Sequence, residues 1–455
     1  MKALSIILAF SASSLFAGGQ TALDRYIAKP DPSFAWKLVR SIPCGGCTAQ
    51  VLDMTSQNWR KPDEVSRTAW QHWVTVIRPP KVVSNVALLL ITGGSNNGRP
   101  PAQADAMLAN IAKETGAVTV ELRMVPNQPV RFPGDTKDRT EDSIISYTWD
   151  KFLRGGDEEW PLRLPMTKAA VRAMDAVTAF AKSTDGGGVT VDRFVVSGGS
   201  KRGWTTWTTA AVDKRVVAIA PLVIDMLNVE KSFTHHWRVY GFWAPAVGDY
   251  TANKVMDWMG TKENRALMKI EEPYEYRDRL TMPKYIVNSS GDQFFLPDSS
   301  QFYYKDLKGE KYLRYVPNTD HSLRNSDVPL GLLSFFQAVI NGKPRPRFSW
   351  RTDKDGTINV KVVDQPTEVK LWHATNPSAR DFRLEKIGPV WKGQKVEAVK
   401  GHFSGKATKP EKGFTAYFLE LTYPTSGKHP IKFTTDVKVT PDVYPFPAPK
   451  LVAPR

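Results

Sequence analysis

The stretch Phe194-Val195-Val196-Ser197-Gly198-Gly199-Ser200-Lys201-Arg202-Gly203-Trp204 decides how the rest of this chain is read. A short β-branched run ends in two glycines and a serine, and Lys201 to Val212 follows with the pattern of a helix. A serine on such a strand-to-helix turn carries its hydroxyl clear of the sheet. It also stands at a helix N-terminus, where free backbone N–H groups can receive an oxyanion. Gly198 and Gly199 allow a close approach that a Cβ would block. The spacing departs from Gly-x-Ser-x-Gly: Arg202 stands where the second glycine belongs, and Gly203 follows one later. Taken alone, the turn is open between a nucleophile elbow built on Ser200, a phosphate-binding loop and a plain tight turn.

Strands and helices alternate on both sides of it. Val86 to Ile91 is a continuous apolar run into Thr92-Gly93-Gly94-Ser95, the pattern of a strand buried on both faces. Ala102 to Glu114 has helical spacing, Ala117 to Val125 reads as a strand, and Met166 to Lys182 reads as a helix. After the elbow come strands at Val216 to Ile224, Lys284 to Asn288 and Lys311 to Val316, then an amphipathic helix from Pro329 to Ile340. That alternation predicts an α/β fold with a doubly wound, mostly parallel sheet. Ser66 to Ile77 alternates and predicts an earlier antiparallel strand.

Two segments, Pro126 to Pro165 and Asp225 to Met282, are too long for plain connectors. The second is dense in aromatics, among them Phe233, Trp237, Trp243 and Tyr250. Insertions at the C-terminal ends of parallel strands sit over the ligand crevice. A cap over about residues 226–282 is therefore expected, with Trp237, Trp243 and His235 as substrate contacts.

A serine hydroxyl needs a base to become a nucleophile. In hydrolases of this sheet order an acid and then a histidine follow the serine. The strand at Lys284 runs into Ser289-Ser290-Gly291-Asp292-Gln293, and the next one into Pro317-Asn318-Thr319-Asp320-His321-Ser322. The chain has seven histidines, and His321 falls in the required loop in the required order. Ser200, Asp292 and His321 are the candidate triad, with Asp225 left open as a competing acid. The backbone N–H of Lys201 and the loop at Gly94 and Ser95 are the candidate oxyanion hole. The Lys201 and Arg202 side chains could meet an acidic substrate group, or simply pair with carboxylates. His235 and His236 are adjacent and no carboxylate or cysteine pattern joins them, so neither a metal nor a cofactor is expected.

At 455 residues the chain is long enough for two sizeable cores. Met1 to Gly19 has one basic residue, Lys2, an apolar stretch and then small residues. It predicts a signal peptide cleaved before Gln20 and a periplasmic or extracellular product. No later apolar run predicts a membrane span. Lys and Arg outnumber Asp and Glu by 62 to 46, but they are scattered and no nucleic-acid motif accompanies them. A solvated basic surface is expected, not a nucleic-acid partner. Cys44 and Cys47, the two cysteines, predict a local disulfide in an oxidising compartment. After Asn341 comes the linker Gly-Lys-Pro-Arg-Pro-Arg, then short alternating strands that predict a β-sandwich. The expected organisation is a leader over 1–19, the α/β unit over 20–342 and the β-sandwich over 343–455.

Five stretches resemble the PhoPQ-activated pathogenicity-related protein family, which takes in the autocrine proliferation repressor proteins of slime moulds. They are Leu-Leu-Leu-Ile-Thr-Gly-Gly-Ser-Asn (88–96), Val-Pro-Asn-Gln-Pro (125–129), Val-Ser-Gly-Gly-Ser-Lys-Arg-Gly-Trp-Thr-Thr-Trp (196–207), Asn-Ser-Ser-Gly-Asp-Gln-Phe-Phe-Leu-Pro-Asp (288–298) and Val-Pro-Asn-Thr-Asp-His-Ser-Leu (316–323). The resemblance implies an exported protein of the α/β-hydrolase fold with a β-rich C-terminal region. A weaker similarity runs to glucuronoyl esterases, where a basic residue after the serine assists the oxyanion, as Lys201 would. Two functions follow as expectations. One is a secreted serine hydrolase acting through an acyl-enzyme on a small-molecule or polymer ester, or on a peptide bond. The other is a secreted signalling or binding protein that keeps the fold without needing the chemistry.

Overall fold

Apolar, β-branched runs form the centre of the sheet, because strands covered on both faces bury every side chain. The computed structural model describes residues 19–451, so the expected leader lies outside the described residues except for Gly19. Nine strands make the body of the sheet: β1 (Ala35–Cys44), β2 (Cys47–Asn58), β3 (Ala69–Arg78), β4 (Val86–Ile91), β5 (Thr119–Leu122), β6 (Arg193–Gly199), β7 (Val216–Leu222), β8 (Lys284–Ser289) and β9 (Lys311–Val316). They lie in the order β1-β2-β3-β5-β4-β6-β7-β8-β9. The run from β5 to β9 is parallel throughout, and β1, β2 and β3 extend it as antiparallel strands.

The order reverses between β4 and β6. From β4 the chain passes to β5 on one side, then returns to place β6 on the other. Ligands bind outside the carboxyl ends of the strands at such a switch point. Both Gly93-Gly94-Ser95, after β4, and Ser200, after β6, stand there.

Helices cover both faces. Those with ten or more residues are α1 (Ala106–Thr115), α2 (Asp142–Gly155), α3 (Arg163–Lys182), α4 (Lys201–Val212), α5 (Val229–Tyr240), α6 (Lys262–Glu271) and α7 (Val328–Ile340). Apolar side chains of α3 and α4 pack into one core with β2, β4 and β6, while α1 and α7 pack on the opposite face. The first long insertion supplies α2, and the second supplies α5, α6 and short turns between them. Among the described residues no helix is long and apolar enough to cross a membrane.

The β-rich C-terminal region has two layers, as a sandwich requires, but one of them continues the main sheet. Strand β10 (Phe348–Thr352), β11 (Ile358–Val362) and β14 (His402–Gly405) form a separate three-stranded sheet. Strands β12 (Glu368–Asn376), β13 (Lys392–Lys395), β15 (Phe414–Tyr423), β16 (Ile431–Thr434) and β17 (Lys438–Thr440) join the large one. The junction is β16 against β9, with Thr434 opposite Leu313 and the Thr434 hydroxyl accepting from Tyr315 N–H at 3.0 Å. Without it β9 would expose an edge of unpaired backbone groups. Ile358, Val360 and Phe403 of the small sheet pack on Leu371, Leu419 and Leu421 of the large one.

The Cys44–Cys47 segment differs from expectation. It is not a loop but the tip of the β1–β2 hairpin, with Gly45 and Gly46 at φ 54° and 93°. A two-residue turn of this kind demands positive φ at both positions. The two cysteines stand opposite each other as free thiols rather than as a disulfide. The turn itself sets their spacing, so the loop is closed without a covalent bond. Burial, first, and the neighbouring Cys47 push the Cys44 thiol above its ordinary pKa.

Candidate active site

Ser200 occupies the bend between β6 and α4 with φ 58° and ψ −124°. Such a conformation is sparsely populated for a non-glycine residue and costs about 1–3 kcal/mol. The bend is held by Ser200 N–H donating to Leu222 O at 2.9 Å and Trp204 N–H to Ser200 O at 3.0 Å. Gly198 is required by sterics: a Cβ there would lie 2.7 Å from the Arg202 carbonyl oxygen. The first turn of α4 thus presses directly on the strand that leads into it.

Two and three strands along, the loops after β8 and β9 bring Asp292 and His321 together. Asp292 is buried, and its Oδ2 lies 2.8 Å from His321 Nδ1. Its Oδ1 accepts from the Phe294 backbone N–H at 2.8 Å. Gln293 Oε1 takes the His321 backbone N–H at 2.9 Å. The His321 ring lies against Phe294, with centroids 4.5 Å apart, and against Phe295. With Nδ1 taken by Asp292, Nε2 is the ring nitrogen left to meet a second group. The C-terminal region braces both loops: Leu384 N–H donates to Gly291 O, and Asn318 exchanges hydrogen bonds with the Trp391 backbone.

Asp225, the competing acid, is elsewhere. Both its oxygens accept phenolic hydroxyls, from Tyr303 and Tyr315, each at 2.6 Å. Burial raises its pKa to about 8, against the opposing effect of the two tyrosines. A neutral acid held by two phenols has no free oxygen for an imidazole.

A cavity of about 20 Å³ opens beside Ser200. Phe294 and Phe295 wall it on the histidine side, and Trp149, Trp204, Phe233 and Tyr250 supply further aromatic surface. Asp142, Arg163 and Lys201 are its charged lining. Gly94 and Ser95 sit at the same sheet edge but not in this wall. Their loop is tied to its neighbour by Met124 N–H to Gly93 O and by Gln128 Nε2 to Gly94 O.

The Lys201 and Arg202 side chains pair with carboxylates. Lys201 Nζ lies 2.7 Å from Glu141 Oε2 and 3.1 Å from Asp142 Oδ2. Arg202 grips Glu141 through two nitrogens and donates its Nε–H to Val125 O at 2.6 Å. Burial works to raise the Glu141 pKa, but Arg202 and Lys201 outweigh it and hold it at about 2. Arg202 is therefore a strut joining the elbow to the Val125–Pro129 loop and the start of α2, not a substrate contact.

The expected cap contacts are also placed differently. His235 is buried, with Nε2 2.9 Å from Asp298 and Nδ1 3.1 Å from the Tyr444 hydroxyl. Trp237 and Trp243 pack on each other with centroids 5.0 Å apart, outside the cavity wall. In their place the cap contributes Phe233, Val247 and Tyr250. Asp142, Trp149 and Arg163 come from the first insertion, which was also expected to help cap the site but in which the sequence pattern singled out no contact residue. The one available signal was Glu141-Asp142, a carboxylate pair where a helix begins.

Comparison with known proteins agrees with this architecture. The chain is 36% identical over 475 residues to autocrine proliferation repressor protein A of Dictyostelium discoideum, covering 98% of this chain and 95% of that one. Among solved structures it superposes on acetyl xylan esterase 1 from a Thermoanaerobacterium species with a TM-score of 0.50 and 16% identity, over 70% of this chain and 92% of that one. An acetyl xylan esterase from a Paenibacillus species aligns with a TM-score of 0.49 and 13% identity, over 70% of this chain and 91% of that one. The fold is that of the α/β-hydrolases. Residues 23–383, most of the chain, match the model of one family. The chain belongs to the PhoPQ-activated pathogenicity-related protein family.

Proposed function

We propose that this chain is an exported serine hydrolase that cleaves an ester, small or carbohydrate-linked, through an acyl-enzyme. The observation that carries the reading is the 2.8 Å His321–Asp292 pair at the same sheet edge as a serine in a sparsely populated backbone conformation. In this scheme His321 Nε2 removes the Ser200 proton as Oγ attacks the substrate carbonyl. Asp292 fixes the imidazole tautomer and stabilises the imidazolium. The developing oxyanion is met by the backbone N–H of Lys201 and by the Gly94–Ser95 loop, each donor contributing on the order of 3 kcal/mol. His321 then protonates the leaving alcohol, and water releases the acid by the same steps in reverse order of roles.

The solved neighbours named as acetyl xylan esterases support the ester version. A peptide bond is the other substrate that the same chemistry reaches. The second functional reading rests on the relative named as a repressor of proliferation: an exported signal that keeps the fold and does not need the serine. A fluorophosphonate probe separates them, with Ser200→Ala as control. Labelling of the folded wild type that disappears in the variant supports the hydrolase. A folded wild type that takes no label sinks it and leaves the signalling protein.

A further inference from the structure

Among the described residues, Arg163 is the one charged group of the Ser200 cavity without an ion pair within 4 Å. Its neighbours there balance: Lys201 and Arg202 meet Glu141 and Asp142, and Asp142 also accepts from the Tyr250 hydroxyl at 3.0 Å. Arg163 is 2% exposed, and its guanidinium meets no carboxylate of the described residues in an ion pair. Its Nη1 rests 3.6 Å from the Met166 sulfur, its guanidinium lies 4.7 Å from the Trp204 ring centroid, and its buried Nε has no partner. Glu271 is near enough for its charge to be drawn by Arg163 but forms no ion pair with it among the described residues. Glu271 spends both oxygens on neutral donors, one on the Arg163 backbone N–H at 3.1 Å and the other on the Trp149 indole N–H. Burial lifts the Glu271 pKa to about 7 against the attraction of the Arg163 charge, so near neutrality Glu271 answers that charge only in part. A guanidinium out of water is unfavourable unless an anion or hydrogen-bond acceptors meet it.

We propose that Arg163 is the acyl-side specificity residue of this site and takes a carboxylate carried by the substrate's acyl chain. The inference rests on the serine-hydrolase reading and adds the chemical class of the acyl group. The ligand is a short half-ester of a dicarboxylic acid, with its free carboxylate on Arg163 and its esterified carbonyl at Ser200. The small cavity sets the length, since about 20 Å³ corresponds to one or two waters. That is the scale of a –CH2–COO⁻ group. A planar guanidinium suits a carboxylate because it can donate two parallel hydrogen bonds. Trp204 then holds the guanidinium from behind, and Lys201 keeps the Asp142 charge from repelling the incoming acid.

The test compares monomethyl malonate with methyl 3-methylbutanoate, a neutral ester of nearly the same shape, by proton release at constant pH. Wild type is expected to favour the acid by about tenfold or more in kcat/KM, as a charged hydrogen-bonded pair implies. Arg163→Met should erase that preference, and Arg163→Lys should restore part of it. Equal rates for the two esters, or an acid preference that survives in folded Arg163→Met, would overturn the assignment. A binding arm needs no catalysis: malonate, but not malonamide, should raise the melting temperature of Ser200→Ala. If neither ester is cleaved yet malonate stabilises Ser200→Ala and not Ser200→Ala/Arg163→Met, the hydrolase reading fails and the anion site stands. If malonate stabilises no variant, the anion site fails whatever the ester rates. Should Arg163→Met not fold, the malonate–malonamide contrast on Ser200→Ala decides alone.

Discussion

Replacing Asp225 by Asn separates the roles of the two aspartates near the sheet edge that carries Ser200. Asp225 is buried, faces Tyr303 and Tyr315, and lies close enough to Asp292 and Asp298 for their charges to push its pKa further upward. Its folded pKa of about 8 stands far above the ordinary aspartate value of 3.8. A group raised in this direction contributes stability that is fully present below its unfolded pKa and lost as the pH rises through its folded one. Within that window the loss is about 1.4 kcal/mol per pH unit. Between pH 5 and pH 7 Asp225 alone therefore removes about 3 kcal/mol from the folded state. Asn carries no such proton, and the tyrosine hydroxyls can still donate to its carbonyl. Urea unfolding at pH 5, 6 and 7, followed by tryptophan fluorescence, should show wild-type stability falling with pH and a slope shallower by that amount in Asp225→Asn. If the proposed hydrolase reading holds, the same variant should keep its ester hydrolysis, whereas Asp292→Asn should lose on the order of 10⁴-fold in kcat by leaving His321 in the wrong tautomer. An Asp225→Asn protein whose stability falls as steeply as wild type, or whose hydrolysis collapses as in Asp292→Asn, would refute the reasoning.

Gly198→Ala should leave the far-ultraviolet circular dichroism intact and lower fluorophosphonate labelling by more than about tenfold. The added Cβ would sit 2.7 Å from the Arg202 carbonyl oxygen and push the elbow out of shape. Asp298→Asn should lower stability at pH 7 by about 3 kcal/mol or more, because it strips the shared acid from buried Arg380 and from His235. Burial acts to raise the Asp298 pKa, but His235 and Arg380 hold it far below the usual carboxylate range. Its contribution is present above about pH 4 and fades as the pH falls from there. Melting temperatures at pH 7 and pH 3 should accordingly show a smaller cost in acid, and an equal cost at both would contradict the assignment.

The parallel core and the order Ser200, Asp292, His321 were legible because each is written locally. Apolar runs such as Val86 to Ile91 admit one reading, and loops that follow successive strands must emerge at one edge. The β1–β2 hairpin was missed because its first strand has no clean period. Ala35 to Cys44 lies at the sheet's edge with most side chains partly or fully exposed, so burial imposes little pattern on it. The cavity wall was misassigned for a related reason. Aromatics of the cap at helical spacing can face either side, and only packing shows that Trp237 turns to Trp243 while Tyr250 turns to Asp142. Arg163 was invisible because no periodicity marks a buried cation. Its significance depends on which acids fold near it and which donors those acids already serve.

The energetics of the elbow bear on the choice between enzyme and signal. Ser200 holds a backbone conformation that costs about 1–3 kcal/mol, and a binding surface gains nothing from it. Around it the first turn of α4 carries two cations, each engaged by carboxylates of a distant insertion. Arg202 alone ties Glu141 to the Val125 carbonyl and passes so near Gly93 that a Cβ there would lie 2.6 Å from its Nη2. Such a lattice fixes the position of one hydroxyl against the loops after β4 and β5. A protein that served only as a ligand for another molecule would present its specificity on an outer face, where none of this bracing is needed. The strain and the buried charges fit together if the held hydroxyl must meet a substrate carbonyl within a few tenths of an ångström, which is what the proposed nucleophilic role of Ser200 requires.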